Sequence, residues 1–167
     1  MPGLTIDGLA VTAAEGETIL RAAERAGIDI PHFCYHAAFP PEGNCRMCVV
    51  EVEGRPKLEL ACSTTVRDGM VVRTETEQVL QARRVIVDLL LSDGTHDCLS
   101  CEMCGECELQ EAAYRLGIER PSAPRGAPSM ATDVSHPMIE RNPNRCILFG
   151  RCVMACNDVV VNGVLDV

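Results

Sequence analysis

The stretch THDCLSCEMCGECELQ, residues 95–110, sets His96, Cys98, Cys101, Cys104 and Cys107 within twelve residues. Thiolate and imidazole are soft donors that select iron-sulfur clusters or zinc over hard cations. Five donors are one more than a four-ligand site uses. The residues alone leave two ligand sets open, His96 with Cys98, Cys101 and Cys107, or the four cysteines without the histidine. A zinc site or reactive thiols are the alternatives, and so crowded a run leaves little loop to wrap a small tetrahedral ion.

A second constellation precedes it. Cys34, Cys45, Cys48 and Cys62 follow the spacing C-x10-C-x2-C-x13-C, with three cysteines on or beside one long loop and the fourth at the end of a strand. Such a set suits a [2Fe-2S] cluster, whose sulfurs also need backbone N–H donors around them. Zinc sites usually pair two short C-x2-C units, and only Cys45 to Cys48 is such a unit here. Gly43 allows close backbone approach beside Cys45. His32 and His36 flank Cys34 but are surplus to a complete four-thiolate set, whereas Phe33 and Tyr35 are placed to shield it. A third group, Cys146, Cys152 and Cys156, is followed by only eleven residues and supplies no full ligand set.

The composition excludes several other classes. A formal charge of -9 with scattered arginines argues against nucleic acid, whose phosphates require clustered cations. The N-terminal MPGLTIDGLAVTAAEG lacks a secretory pattern, and the longest apolar run, VIVDLLL, is short and interrupted by Asp88; direct membrane insertion is not expected. The expectation is a soluble cytoplasmic protein whose eleven cysteines are metal ligands rather than disulfides. With two Tyr, three Phe and no Trp, its core is short of aromatic bulk, and bound metal is expected to help hold it together.

These ligands need a scaffold. LTID and LAVT alternate around Asp7-Gly8, the signature of a hairpin. TILRAAERAG has a helical stripe of Ile19, Leu20, Ala22, Ala23 and Ala26, ended by Gly27. CVVEVEG, KLELACS and MVVRT read as further strands of a small mixed sheet crossed by that helix. From Glu77 to Leu91 the period becomes helical, with Val79, Ala82, Val85, Ile86, Leu89 and Leu90 predicted on one side. Another helix follows Cys107 as far as Leu116, and RPSAPRGAPSMATDVSHP reads as an extended connector.

The segments IPHFCYHAAFPPEGNCRMCVVEV, LACST, HDCLSCEMCGECELQEAAYRLGI and NPNRCILFGRCVMACNDV together resemble the iron-sulfur electron-transfer subunit shared by NADH dehydrogenases, NAD-linked hydrogenases and NAD-linked formate dehydrogenases. The resemblance covers nearly the whole chain. It implies an α+β protein with an N-terminal β-grasp [2Fe-2S] domain, a helical [4Fe-4S] domain with one His and three Cys ligands, and an incomplete C-terminal ferredoxin-like segment. The family spacing C-x2-C-x5-C falls on Cys98, Cys101 and Cys107 and leaves Cys104 spare. Many members carry the histidine four residues before the first cysteine, where Gly94 stands here; His96 matches the hydrogenase-type subunits, which carry it two residues before. In the third group Phe149 replaces an expected cysteine, and the distal cysteines are missing.

The expected boundaries are therefore 1–76 for the β-grasp domain, 77–120 for the His/Cys domain, 121–140 for a linker and 141–167 for the partial segment. No G-x-G-x-x-G fingerprint is present, so NAD and flavin are expected on a partner. The resemblance implies relay of electrons between a flavin- and NAD(H)-binding subunit and a hydrogenase, formate dehydrogenase or quinone-reducing module. A free-standing soluble ferredoxin and a zinc-stabilised interaction protein are the alternatives.

Overall fold

A computed structural model describes residues 1–122 and 130–165, which divide into two units, Met1–Arg83 with Gly150–Val167, and Arg84–Phe149. In the first unit, strands β1 (Gly3–Ile6) and β2 (Leu9–Thr12) pair antiparallel with Ile6 opposite Leu9. Asp7 and Gly8 both have positive φ, 48° and 84°, as a type I′ turn requires. β3 (Val49–Val52), β4 (Glu59–Leu60) and β5 (Met70–Arg73) complete a five-stranded sheet in the order β2-β1-β5-β3-β4. Only β1 and β5 run parallel, with Ile6 opposite Val72.

Helix α1 (Ile19–Arg25) has Thr18 as its N-cap, accepting from Arg21 N. Two of its first-turn N–H groups leave the helix for the loop around Cys62: Ile19 N donates to Thr64 O and Leu20 N to Ala61 O, both at 2.9 Å. Groups that a helix end would leave unsatisfied thus tie down the return cysteine. Ile19, Leu20, Ala22 and Ala23 join Ile6, Val50, Val52 and Val72 in one buried core. Each fully buried aliphatic side chain contributes about 1.5–3 kcal/mol. The arrangement is the mixed α+β scaffold the sequence leads one to expect, with Cys48 and Cys62 themselves in its core.

Helix α2 (Glu77–Asp93) begins where β5 ends, and its inward positions differ from expectation. Val79, Arg83 and Val87 are buried, whereas Val85 and Leu89 are about half exposed (48% and 58%). The face i, i+4, i+8 starting at Val79 is hidden in the sequence by an arginine. That arginine is tolerated inside because its guanidinium donates to three carbonyls: Met47 O (3.2 Å), Thr74 O (3.0 Å) and Val49 O (2.8 Å).

In the second unit a 3₁₀ turn at Cys98–Ser100 leads to helix α3 (Glu108–Arg115), which buries Leu109, Ala112 and Ala113 as its spacing predicts. The expected connector is not wholly irregular. Residues 123–129 of it lie outside the described residues, but β6 (Asp133–His136) and β7 (Ile139–Arg141) form an antiparallel pair. All seven of their residues are exposed, so no buried face left an alternation to read. A short helix α4 (Arg151–Met154) runs into a π-helical turn, Ala155–Val159, and buries Met154 and Cys156. Among the described residues no helix is long and apolar enough to cross a membrane.

Candidate metal centres

Cys34, Cys45, Cys48 and Cys62, separated by up to 28 residues, are brought together in the first unit. They lie as two neighbouring pairs, Cys34 beside Cys45 and Cys48 beside Cys62, each thiol acting on its partner's pKa. The loop supplies the first pair. The second pair sits on either side of β3 and β4, where Ala61 N donates to Cys48 O at 3.0 Å. Three of the four cysteines are buried, and Cys45 is partly so.

Cys45 Sγ accepts backbone N–H groups from Phe33 and Cys34, each at 3.4 Å. Arg46, the next residue, stands at φ 58°. A non-glycine residue in the left-handed region costs about 1–2 kcal/mol, and this cysteine loop is where that strain is held. The adjacent Cys34 thiol, together with the backbone donors and against desolvation, brings Cys45 down to about 5. Cys34 is correspondingly pushed up, first by Cys45 and then by burial. In the second pair the Cys48 thiol lowers Cys62, and Cys48 itself is raised. A pocket that favours thiolate at two of four cysteines suits an electropositive metal centre.

Its surroundings are apolar on one side. Phe33 is 2% exposed and Tyr35 is 7% exposed, and desolvation raises the Tyr35 hydroxyl pKa. His32 is engaged elsewhere, with Nδ1 2.8 Å from Ile30 O and its ring edge-on to Tyr35 at 5.4 Å. His36 stacks at a tilt on Phe39. Gly43 has φ 70°, and a Cβ there would lie 2.9 Å from Leu60 Cδ1.

In the second unit Cys98, Cys101 and Cys104 follow one another at single turns, with Cys101 N bonded to Cys98 O (3.4 Å) and Cys104 N to Cys101 O (3.0 Å). Cys107 is the N-cap of α3. His96, Cys98, Cys101 and Cys107 are each partly buried, and Cys104 is exposed. Cys104 Sγ accepts from Gln110 Nε2 at 3.7 Å, while Gln110 Oε1 takes Gly105 N at 2.8 Å. His96 Nε2 lies 3.0 Å from Leu90 O. The imidazole occupies the space above Gly94: a Cβ at residue 94 would come within 2.7 Å of His96 Nε2 and 2.6 Å of Asn144 O. A side chain at 94 and the ring of residue 96 are therefore mutually exclusive in this turn.

The third group does not assemble. Cys146 and Cys152 are exposed and Cys156 is buried, its thiol donating to Asn162 Oδ1 at 2.8 Å. Among the described residues no three or more His, Cys, Asp or Glu side chains close on one point as for a single metal ion. Three further residues around the two constellations escaped sequence reading: Arg83, whose carbonyl partners Met47 and Val49 flank Cys48; Arg151, which donates to Phe33 O; and Asn144. The charge of Arg83 inside an apolar helical pattern was the one available signal.

A mixed sheet carrying four paired thiols, followed by helices that carry a histidine and a compact cysteine run, defines an iron-sulfur protein of the ferredoxin type. Residues 3–77 match the family described as 2Fe-2S iron-sulfur cluster binding domain, and residues 83–122 match the NADH-ubiquinone oxidoreductase-G iron-sulfur binding region. The chain is 45% identical to the NADP-reducing hydrogenase subunit HndD of Solidesulfovibrio fructosivorans, over 98% of this chain and 29% of that one. It is 40% identical to the mitochondrial NADH-ubiquinone oxidoreductase 78 kDa subunit of Candida albicans, over 93% of this chain and 22% of that one. A chain in the crystal structure of an NAD+-reducing [NiFe]-hydrogenase in the H2-reduced state superposes with a TM-score of 0.89 at 35% identity, over 96% of this chain and 68% of that one.

This chain belongs to the iron-sulfur subunit family that includes the NAD+-reducing hydrogenase chain and the 78 kDa subunit of NADH-ubiquinone oxidoreductase. Its two matched regions are a [2Fe-2S] and a [4Fe-4S] binding region. It spans about a fifth to three-tenths of the length of the curated relatives it matches.

Proposed function

We propose that the chain is a one-electron relay within an NAD-linked oxidoreductase complex of the cytoplasm. Cys34, Cys45, Cys48 and Cys62 hold the [2Fe-2S] cluster within residues 1–76, and His96, Cys98, Cys101 and Cys107 hold the [4Fe-4S] cluster within residues 77–120. Bound clusters supply one-electron redox chemistry. The chain's own contribution is to fix the ligands, to aim N–H donors at sulfur and to keep water off the first site. The flavin- and NAD(H)-binding partner stands on one side, and a hydrogenase, formate dehydrogenase or quinone-reducing module on the other.

The observation that carries this reading is the convergence of the four cysteines of the first group in two pairs, with two backbone N–H groups, those of Phe33 and Cys34, on Cys45 Sγ. Two ligand pairs match a two-iron centre, which takes two protein sulfurs on each iron. In the second group, His96 and the three matching cysteines are partly buried while Cys104 is exposed, which supports the mixed set. The bond to Leu90 O fits a metal-binding histidine, whose second nitrogen is usually oriented this way.

Anaerobically purified chain is expected to contain about six irons, two in one cluster and four in the other, and to give two paramagnetic signals on reduction. About two irons per chain, or stoichiometric zinc, would overturn the assignment. Co-purification with a flavoprotein is expected of a relay subunit. Recovery from its native host without a flavoprotein would favour the free-standing ferredoxin.

A further inference from the structure

The peptide joining Phe33 and Cys34 is engaged at both ends. Its N–H, that of Cys34, lies 3.4 Å from Cys45 Sγ. Its carbonyl, that of Phe33, accepts from Arg151 Nε, a residue 118 positions further along the chain. Both bonds belong to one planar, conjugated group. Charge drawn toward the oxygen by a guanidinium leaves the amide hydrogen more positive, so the N–H···S bond is strengthened by the bond on the other side of the peptide. Arg151 opens helix α4, in the segment whose cysteines assemble no site of their own, and this part of the chain belongs to the first unit.

We infer that Arg151 raises the reduction potential of the [2Fe-2S] site by polarising the Phe33–Cys34 peptide toward Cys45 Sγ; the inference rests on Cys45 being a ligand of that cluster. Reduction adds negative charge to a cluster, and donors to its sulfurs together with nearby positive charge favour the reduced state. Arg151 is partly buried, so water screens its charge only in part. The nearby carboxylate of Glu42, whose Oε2 is 3.7 Å from a Cβ placed on Gly150, opposes it. Glu42 is exposed, and its opposing effect is the more strongly screened.

The test is a potentiometric titration of the 167-residue chain, followed by paramagnetic resonance of the [2Fe-2S] signal, in the wild type and in R151Q, R151K and E42Q. Loss of the charge in R151Q is expected to lower the midpoint by the equivalent of about a tenfold fall in electron affinity, ~59 mV for one electron. R151K keeps the charge but not the planar fork, and is expected between R151Q and the wild type. E42Q should shift the midpoint slightly upward. A purely structural role for Arg151 would change cluster yield and leave the midpoint of the loaded fraction alone. An intact signal with an unchanged midpoint in R151Q overturns the inference. If R151Q takes up no iron, the remaining pair decides: a fall in R151K with a rise in E42Q supports the inference, and two unchanged midpoints overturn it. Absence of any [2Fe-2S] signal from the wild-type chain would instead overturn the ligand assignment.

Discussion

At the scale of single residues, the open choice between His96 and Cys104 turns on what each side chain already does. Cys104 is exposed and held by Gln110, itself tied to Gly105 N and 3.2 Å from the Tyr114 hydroxyl, so it has a local role without iron. His96 fills the space that only a glycine at 94 leaves. Cys104→Ser is therefore expected to preserve the [4Fe-4S] signal and its potential. His96→Ala should make that cluster labile, or lower its potential if a thiolate moves in and adds negative charge. Paramagnetic resonance of the two reduced variants separates the cases, and loss of the signal in Cys104→Ser alone would reverse the assignment. Arg83 invites a second test. Its guanidinium satisfies the buried carbonyls of Met47, Val49 and Thr74, and each acceptor left without a partner costs about 1–3 kcal/mol. Arg83→Met should lower the stability of the first unit by at least about 3 kcal/mol in chemical denaturation, and a loss below about 1 kcal/mol would show that water replaces those bonds.

At the scale of elements, the segment after the hairpin holds the turn that carries His96. Asn144 O accepts Thr95 N at 2.9 Å and stands against Gly94. The Asn144 side chain bonds Met130 through both its amide nitrogen (2.8 Å) and its oxygen (3.2 Å). Gly94→Ala places a methyl group 2.6 Å from that carbonyl, against backbone rather than a yielding side-chain tip. Overpacking of this kind costs about 1–3 kcal/mol, and here the most movable neighbour is the imidazole. The variant is expected to load the [2Fe-2S] cluster normally and the [4Fe-4S] cluster poorly, read as iron falling from about six toward two per chain. Full loading of both clusters would show that the turn can yield without displacing His96. The hairpin β6–β7 was illegible because both strands are solvent-exposed on every residue. Helix α2 was legible in extent but not in facing, since its inward side is set by three carbonyl acceptors for Arg83 and not by apolar area alone.

For the molecule as a whole, pH and metal act through different groups. Glu17 accepts from Arg25 Nη2 at 3.0 Å and from Ala14 N at 2.7 Å, and the Arg25 bond, ahead of the backbone bond, holds its carboxyl below the ordinary 4.5. A folded-state pKa lowered in this way adds stability that is present in full above the unfolded value and is lost as pH falls through the folded one. Glu17→Gln should therefore lower the melting temperature at pH 7, and the difference from wild type should vanish in strong acid. The effect should stay below about 1 kcal/mol, because the Arg25 side chain is half in water and salt screens the pair. A difference that persists unchanged at low pH would mean that packing, not charge, is at stake. Iron removal should act on a larger scale. Cys48 and Cys62 belong to the core cluster, so chelation is expected to unfold the first unit cooperatively, as a single loss of secondary structure in circular dichroism.

The sequence by itself determined the hairpin at Asp7-Gly8, helix α1 and its cap, the strand segments of β3, β4 and β5, and the cysteine spacings that identify both cluster regions. These follow from turn chemistry, periodicity and ligand count, which are local. Tertiary structure alone decided how Cys34 pairs with Cys45 and Cys48 with Cys62, that Arg83 is buried beside Cys48, that Asn144 abuts Gly94, and that Arg151 reaches the peptide of Cys34. The last of these joins residues 118 positions apart. Hydrogen bonds to backbone carbonyls leave no trace in residue type at the accepting position, because every residue carries the same acceptor.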